Sequence, residues 1–459
     1  MDIRNPANEQ LLAQVASDSA AAVSAKVLRA RSAQPAWAAR PLTERLDALR
    51  AFRNAVHSQK AALALVLTRE MGKPISQALN ELTSLRARLD FFLEHTAKVL
   101  DTERVHEERN GESLALAEDI AHEPLGVVAN ISAWNYPWFV GSNVFVPALL
   151  TGNAVVYKPS EHATMTGLEI ARLLHESGVP EDVFIPVIGA GDVGKALLEQ
   201  AVDGVFFTGS YGTGKRIAES VAPRLIKFGL ELGGKDPTYV CNDVDVEAAA
   251  KSLADGAMYN TGQSCCSVER IYVERGVIEE FLRVFVETVR GFTIGDPEDK
   301  NTYIGPLARK EQLAELAAQV EDARGKGARV LVGGKRIERP GHYFEPTVVA
   351  DARNDMRIMR EESFGPVIGI GVVDSDEQAV ALMNDTEYGL TAGVYSKDQA
   401  RAERILRRVN AGSVYWNCCD RVSPRLPWTG RKHSGIGSTL SSYGIRTFTQ
   451  PKAWHLRSA

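Results

Sequence analysis

A series of short apolar runs separated by helical spacing, beginning at residue 126, constrains this chain most. Gly126-Val127-Val128-Ala129-Asn130-Ile131, Ala154-Val155-Val156-Tyr157, Val183-Phe184-Ile185-Pro186-Val187-Ile188 and Val205-Phe206-Phe207 read as buried strands. Between the second and third, Leu168, Ala171 and Leu174 recur at helical spacing, and Gly178 with Pro180 closes that pattern. Buried strands alternating with helices require a parallel sheet with crossover connections, an open dinucleotide-binding type of architecture. In such a sheet, ligands sit beyond the carboxyl ends of the strands. The alternation resumes at Tyr239, Ile271-Tyr272-Val273, Val330-Leu331-Val332, Val367-Ile368-Gly369-Ile370 and Gly393-Val394-Tyr395, which predicts a second α/β domain.

Upstream, residues 8–104 read as mostly helical. Leu46, Leu49, Phe52, Arg53 and Val56 form a mainly apolar helical face; Pro41 and Thr43 suit its start, and Gly72 with Pro74 its end. Residues 113–120 alternate weakly, as an exposed strand does. A chain of 459 residues needs two or three domains. A net charge of -5 and a pI near 6.1 point away from nucleic acid and from anionic membrane surfaces. Met1-Asp2-Ile3-Arg4-Asn5-Pro6 lacks the apolar core of a signal peptide, and no run is long enough to span a bilayer, so a cytoplasmic location is expected. The five cysteines, two adjacent pairs and one single, make a poor disulfide framework and indicate a reducing compartment. With no CxxC or HExxH spacing, no metal site is expected.

Several stretches carry chemistry-bearing residues. Asn260-Thr261-Gly262-Gln263-Ser264-Cys265-Cys266 puts a thiol after a turn and before a strand, where a nucleophile needs to be, although free cysteines are also common small core residues. Ser132-Ala133-Trp134-Asn135-Tyr136-Pro137, Lys158-Pro159-Ser160-Glu161 and Thr208-Gly209-Ser210-Tyr211-Gly212-Thr213-Gly214-Lys215 each follow a predicted strand. The last is a Gly-rich strand-to-helix turn whose N–H groups can hold a pyrophosphate, or a turn that is Gly-rich for steric reasons alone. Lys158 and Glu161 read as surface charges or as a ribose site whose acid repels a 2′-phosphate. From spacing alone, Glu231 in Leu230-Glu231-Leu232-Gly233-Gly234-Lys235 reads as a helix cap or a partner of Lys235; its apolar setting equally suits a general base. Glu361-Glu362-Ser363-Phe364-Gly365-Pro366 is an acidic turn. Residues 412–430 read as one long loop, with Cys418 and Cys419 packing and with Arg421 and Arg425 either solvated or substrate-binding.

Taken together, seven stretches in order resemble the aldehyde dehydrogenase superfamily across essentially the whole chain: Trp134–Pro137, Lys158–Glu161, Phe207–Ser210, Leu230–Lys235, Gly262–Cys265, Glu362–Pro366 and Leu426–Gly430. The resemblance implies an α/β fold: a Rossmann-like open parallel-sheet cofactor domain (1–105 and 125–232), a second α/β catalytic domain (233–445), and a small β oligomerisation arm (106–124 and 446–459). It implies a homodimer or homotetramer. It also implies oxidation of an aldehyde to the acid with NAD, with NADP as the alternative. Cys265 would be the nucleophile, Asn135 an oxyanion donor and Glu231 the base that activates water. Lys158 and Glu161 would hold the adenosine ribose, and Gly209, Ser210 and Gly214 the pyrophosphate region. Glu362 would hold the nicotinamide ribose, Phe364 would pack on the nicotinamide, and Trp134 would line its channel. Tyr136, Val422 and Trp428 would line the aldehyde tunnel, and Cys266 would be a bystander.

Departures qualify the resemblance. Ser438-Thr439-Leu440-Ser441-Ser442 stands where many members carry a second, deeper glutamate. Tyr259 stands where succinate-semialdehyde members commonly carry an arginine, which argues against that substrate unless Arg421 or Arg425 substitutes. The expected substrate is an aromatic or apolar aldehyde or a semialdehyde. The rival readings are an NADP-preferring semialdehyde dehydrogenase and a cofactor-independent thiol esterase.

Overall fold

The computed structural model describes residues 1–458. Three long helices, Ala20–Ala39, Leu42–Met71 and Ile75–Leu100, supply most of the N-terminal segment. The second begins after Pro41 and ends at Gly72, whose φ of +83° places it in the left-handed region. A Cβ there would stand 2.6 Å from Pro306 Cγ, so glycine is required both for the cap and for the close approach. The helical expectation for 8–104 needs one correction, because Leu11–Gln14 is a strand paired antiparallel with Asp2–Arg4. Asn5 and Asn8 accept from the backbone N–H two residues on, at 2.9 and 3.0 Å, and these side-chain turns reverse the chain into a hairpin.

The expected parallel sheet is present. Its order is Gly435–Ile436, Lys227–Glu231, Gly204–Thr208, Val127–Ile131, Ala154–Lys158 and Phe184–Pro186. All neighbours are parallel except the short Gly435–Ile436 strand. The order reverses between Val127–Ile131 and Gly204–Thr208, which opens a crevice at their carboxyl ends. Val127, Val128, Ala129, Val155 and Val156 are fully buried, because helices cover both sheet faces.

A second, seven-stranded sheet runs Arg329–Val332, Thr347–Ala350, Val367–Val373, Val268–Glu274, Asp236–Val240, Thr391–Tyr395 and Ser413–Trp416, with only the first strand antiparallel to its neighbour. The stretch 412–430 is therefore not loop throughout. Ser413–Trp416 pairs with Thr391–Tyr395, although its burial is low, as suits a sheet edge. Thr449–Arg457, Ser113–Pro124 and Glu103–Asn110 form a separate antiparallel ribbon with little burial of its own. Among the described residues no helix is long and apolar enough to cross a membrane.

Candidate active site

The Cys265 loop is held by an unusual backbone. Asn260, Thr261 and Gly262 take φ values of +54°, +58° and +70° in succession, a left-handed turn rare for side-chain-bearing residues. It persists because its groups are tied down. The Asn260 amide donates to the carbonyls of Gln263 (2.9 Å) and Asn135 (3.2 Å), and the Asn135 amide donates to Gln263 O at 3.2 Å. These bonds join the segment after Val127–Ile131 to the loop that carries Cys265. Cys265 is half-buried and Cys266 buried, and neither is in a disulfide. The Cys266 thiol donates to Asp420 Oδ1 at 2.9 Å. Hydrogen bonding with Cys265, burial and the Asp420 carboxyl together push the Cys266 thiol well up. A raised thiol pKa disfavours the reactive thiolate at Cys266.

Glu231 corrects the reading taken from spacing. It ends the strand Lys227–Glu231 rather than capping a helix, and it does not pair with Lys235. Lys235 is fully buried and engages Glu269 at 2.5 Å and Ser363 Oγ at 2.9 Å. The local sequence misleads because Lys235 lies past the Gly233-Gly234 bend, at the start of the other sheet. Glu231 instead accepts from the hydroxyls of Thr208, at 3.2 Å, and Thr439. Burial raises its carboxyl, while the Thr439 and Thr208 hydroxyls and the field of Arg88 oppose that rise.

Cys265 and Glu231 open onto one cavity of about 490 Å³, and Tyr136, Val422 and Trp428 form part of its wall. Lys73 Nζ sits 3.6 Å from the Tyr136 ring centre and pairs with Glu81, so a buried ion pair backs that wall. Arg421 lines the cavity, whereas Arg425 is absent from its walls. The sequence reading missed the polar wall: Asn80, Ser84, Ser252, Asp255 and Asp420 also line it. Four of these lie on the helices Ile75–Leu100 and Val246–Met258, where isolated polar residues read as a solvent face. Burial pushes the Asp420 carboxyl up to about 6.

The second group of expected residues gathers at the strand ends around the crevice. Lys158 ends its strand, and its Nζ lies 3.9 Å from Glu161; burial lowers its pKa. Trp134 meets the Phe364 ring edge-on at 5.5 Å and His162 at 6.2 Å, a histidine that nothing in the sequence singled out. Phe364 has a φ of +49°, and its N–H and that of Ser363 donate to Glu269 at 3.0 and 2.8 Å, which fixes the turn. Glu362 accepts from Gly234 N at 3.0 Å; burial and the nearby Glu269 push its carboxyl up to about 8. Ser210 precedes the helix Tyr211–Val221 without capping it, which leaves the first-turn N–H groups available to an anion. Gly214 has a packing role, because a Cβ there would stand 2.5 Å from Leu232 Cδ2. This crevice fits a dinucleotide: free helix N–H groups for phosphate, a Lys–Glu pair for ribose hydroxyls and the Trp134–Phe364 edge for an aromatic ring.

The comparisons with known proteins agree with this geometry. The profile of the aldehyde dehydrogenase family matches residues 1–454. The chain is 36% identical over 433 residues to a succinate-semialdehyde dehydrogenase [NADP(+)] of Deinococcus radiodurans, covering 94% of this chain and 90% of that protein. It is 37% identical over 465 residues to a 3,6-anhydro-alpha-L-galactose dehydrogenase of Streptomyces coelicolor, covering 100% and 93% of the two chains. The crystal structure of an NAD-dependent aldehyde dehydrogenase from Sinorhizobium meliloti superposes with a TM-score of 0.96 at 34% identity, over 100% of this chain and 91% of that one. The chain therefore belongs to the aldehyde dehydrogenase family and is an oxidoreductase that acts on an aldehyde.

Proposed function

We propose that this enzyme converts an aldehyde and water into a carboxylate, with NAD as hydride acceptor and a thioester on Cys265 as intermediate. The observation that carries this reading is the opening of Cys265 and Glu231 onto one cavity, beside the crevice of a parallel sheet. The Cys265 thiolate adds to the aldehyde carbon, and the carbonyl oxygen becomes an oxyanion. The Asn135 amide and the Cys265 N–H donate to it, each worth roughly 3–4 kcal/mol. Glu362, Phe364 and Trp134 would hold the nicotinamide end of NAD in the crevice, where it would supply the hydride acceptor; as the oxyanion re-forms a carbonyl, the thiohemiacetal carbon would give up its hydride and remain on Cys265 as a thioester. Glu231 then takes a proton from water as the water oxygen bonds to the acyl carbon; the carbon–sulfur bond breaks and the thiolate is restored.

Residues 1–105 and 125–232 serve as the cofactor domain and 233–445 as the catalytic domain in this reading. Lys158 and Glu161 bind the adenosine ribose, Ser210 and Gly209 flank the pyrophosphate, and Glu362 and Phe364 position the nicotinamide end with Trp134. The Glu161 carboxylate favours NAD over NADP by repelling a 2′-phosphate. Tyr136, Trp428 and Val422 suit an aromatic or apolar aldehyde body. On the cavity wall a semialdehyde carboxylate has Arg421 and the buried Arg88 as cationic partners, and Glu81, Asp255 and Asp420 oppose it. The ribbon of 106–124 and 446–459 suits a homodimer or homotetramer contact, because Trp454 and Leu456 are each 43% exposed on it.

Steady-state NADH formation with benzaldehyde, succinate semialdehyde and a long-chain aldehyde tests the reading. Aldehyde-dependent reduction of NAD is expected, with kcat/KM higher for NAD than for NADP. Ester hydrolysis without any reduction of NAD would instead favour a cofactor-independent thiol esterase.

A further inference from the structure

Glu231 stands between two cavities. It lines the 490 Å³ reaction cavity with Cys265, and on its other side lines a cavity of about 10 Å³ with Thr208, Ser438 and Thr439. The smaller space is at the lower limit for one water. The carboxylate is held across this boundary by neutral groups on both of its oxygens: Thr439 Oγ1 donates to Oε1, and Thr208 Oγ1 donates to Oε2 at 3.2 Å.

Both hydroxyls are firmly placed. Thr208 is the register partner of Glu231 on the adjacent parallel strand, and it is 9% exposed. Thr439 is 5% exposed and follows the short strand that pairs with Lys227–Glu231. Its backbone exchanges two hydrogen bonds with Trp428, at 2.8 and 2.9 Å. The chain beyond it is constrained: Leu440 and Ser441 take φ values of +58° and +55°, and Ser441 N donates to Pro424 O at 2.8 Å. For a buried leucine such a backbone needs the surroundings to impose it. The same strained segment thus fixes Trp428, a wall of the reaction cavity, and the hydroxyl on Glu231.

We propose that Thr439 is a positioning residue for the hydrolytic step, its hydroxyl and that of Thr208 forming a neutral clamp that holds the Glu231 carboxylate at the boundary between the two cavities. The inference rests on the reaction assigned to Glu231 above. A hydroxyl both donates and accepts, so the clamp holds the carboxylate before it takes the proton of water and the carboxylic acid afterwards. The charged or titratable groups facing Glu231 on the reaction side are Arg88 and Glu81 from Ile75–Leu100, the thiols Cys265 and Cys266, and Tyr136, Asp255, Tyr259, Cys419, Asp420 and Arg421 on the same cavity wall; the small cavity is lined by none but Glu231. The clamp therefore acts on one ionisation, that of Glu231, and a limb shift produced by the Thr439 and Thr208 variants reads it apart from Asp420. Loss of one donor disfavours the anion and moves this ionisation to higher pH.

The test is single-turnover kinetics of the full-length enzyme with excess NAD and limiting aldehyde. NADH absorbance reads hydride transfer, and quenched-flow assay of the acid reads hydrolysis, from pH 5 to 9. In Thr439→Val the hydrolysis limb is expected to move up by about half to one pH unit. Hydrolysis on the acid side of the limb falls by up to roughly tenfold, while the hydride step is unchanged. Thr439→Ser restores both limb and rate, and Thr208→Val moves the limb in the same direction. An unmoved limb in both valine variants overturns the clamp, as does a serine variant that behaves like valine at unchanged melting temperature. Equal slowing of hydride transfer and hydrolysis also overturns it. Absence of any NADH from the wild-type enzyme overturns the reaction itself and is distinguished by that readout.

Discussion

At the scale of single residues, the paired thiols show how position outweighs residue type. Cys265 and Cys266 are adjacent, yet the second donates its S–H to Asp420, and the neighbouring thiol, burial and that bond push its pKa up. Cys265→Ala is expected to abolish NADH formation while Cys266→Ala retains it, measured at saturating aldehyde. Glu231→Gln keeps the carboxamide in place but removes the base. The expected result is acid release slowed by roughly 10²–10⁴-fold with single-turnover NADH formation retained. Asp420 adds a pH dependence to specificity. Its carboxyl, pushed up to about 6, is neutral below that pH and anionic above it. KM for a carboxylate-bearing aldehyde should rise as pH passes through 6, that for a neutral aldehyde should stay level, and Asp420→Asn should flatten the difference.

At the scale of elements, the site depends on ion pairs and turns that lie behind it. Lys73 and Glu81 are 0% and 2% exposed, and Glu81 also accepts from Trp138 N at 3.0 Å, at the start of the helix Pro137–Leu150. Glu81 thus ties Ile75–Leu100 to Pro137–Leu150, while Lys73, in the connection between the second and third helices, packs on the Tyr136 ring. Lys73→Met leaves a buried carboxylate without its partner, expected to cost about 3–5 kcal/mol and to lower the unfolding temperature. Lys73→Met combined with Glu81→Leu should recover much of that loss, since no charge remains buried; thermal scans of the three proteins check this. The bounds of Leu42–Met71 and Thr164–Glu176 were legible because Pro41, Gly72, Gly178 and Pro180 act locally on backbone dihedrals. Lys227–Glu231 and Ser413–Trp416 were not, because their identity as strands comes from neighbours far along the chain.

At the scale of the whole molecule, two largely parallel sheets bring the proposed catalytic groups together from distant parts of the sequence. Val127–Ile131 leads into Asn135, Lys227–Glu231 ends in Glu231, and Val268–Glu274 is preceded by Cys265. The ribbon of Thr449–Arg457, Ser113–Pro124 and Glu103–Asn110 stands apart from both sheets and exposes Val105, Trp454 and Leu456. Light scattering is expected to report a homo-oligomer, and Trp454→Asp with Leu456→Asp should lower its mass at an unchanged melting profile of the core domains.

The sequence alone determined the α/β architecture, limits of the helices Leu42–Met71 and Thr164–Glu176, and the identity of Cys265, Asn135 and Glu231 as candidates. Those features depend on local periodicity, backbone preference and ordered motifs, all of which are written in neighbouring residues. The tertiary structure alone decided what Glu231 touches, that Arg421 and not Arg425 lines the cavity, and that polar side chains from two helices share its wall. Each of those depends on side chains separated by tens to hundreds of residues, such as Thr439 on Glu231 and Asp420 on Cys266, and no local rule encodes a contact across such a distance.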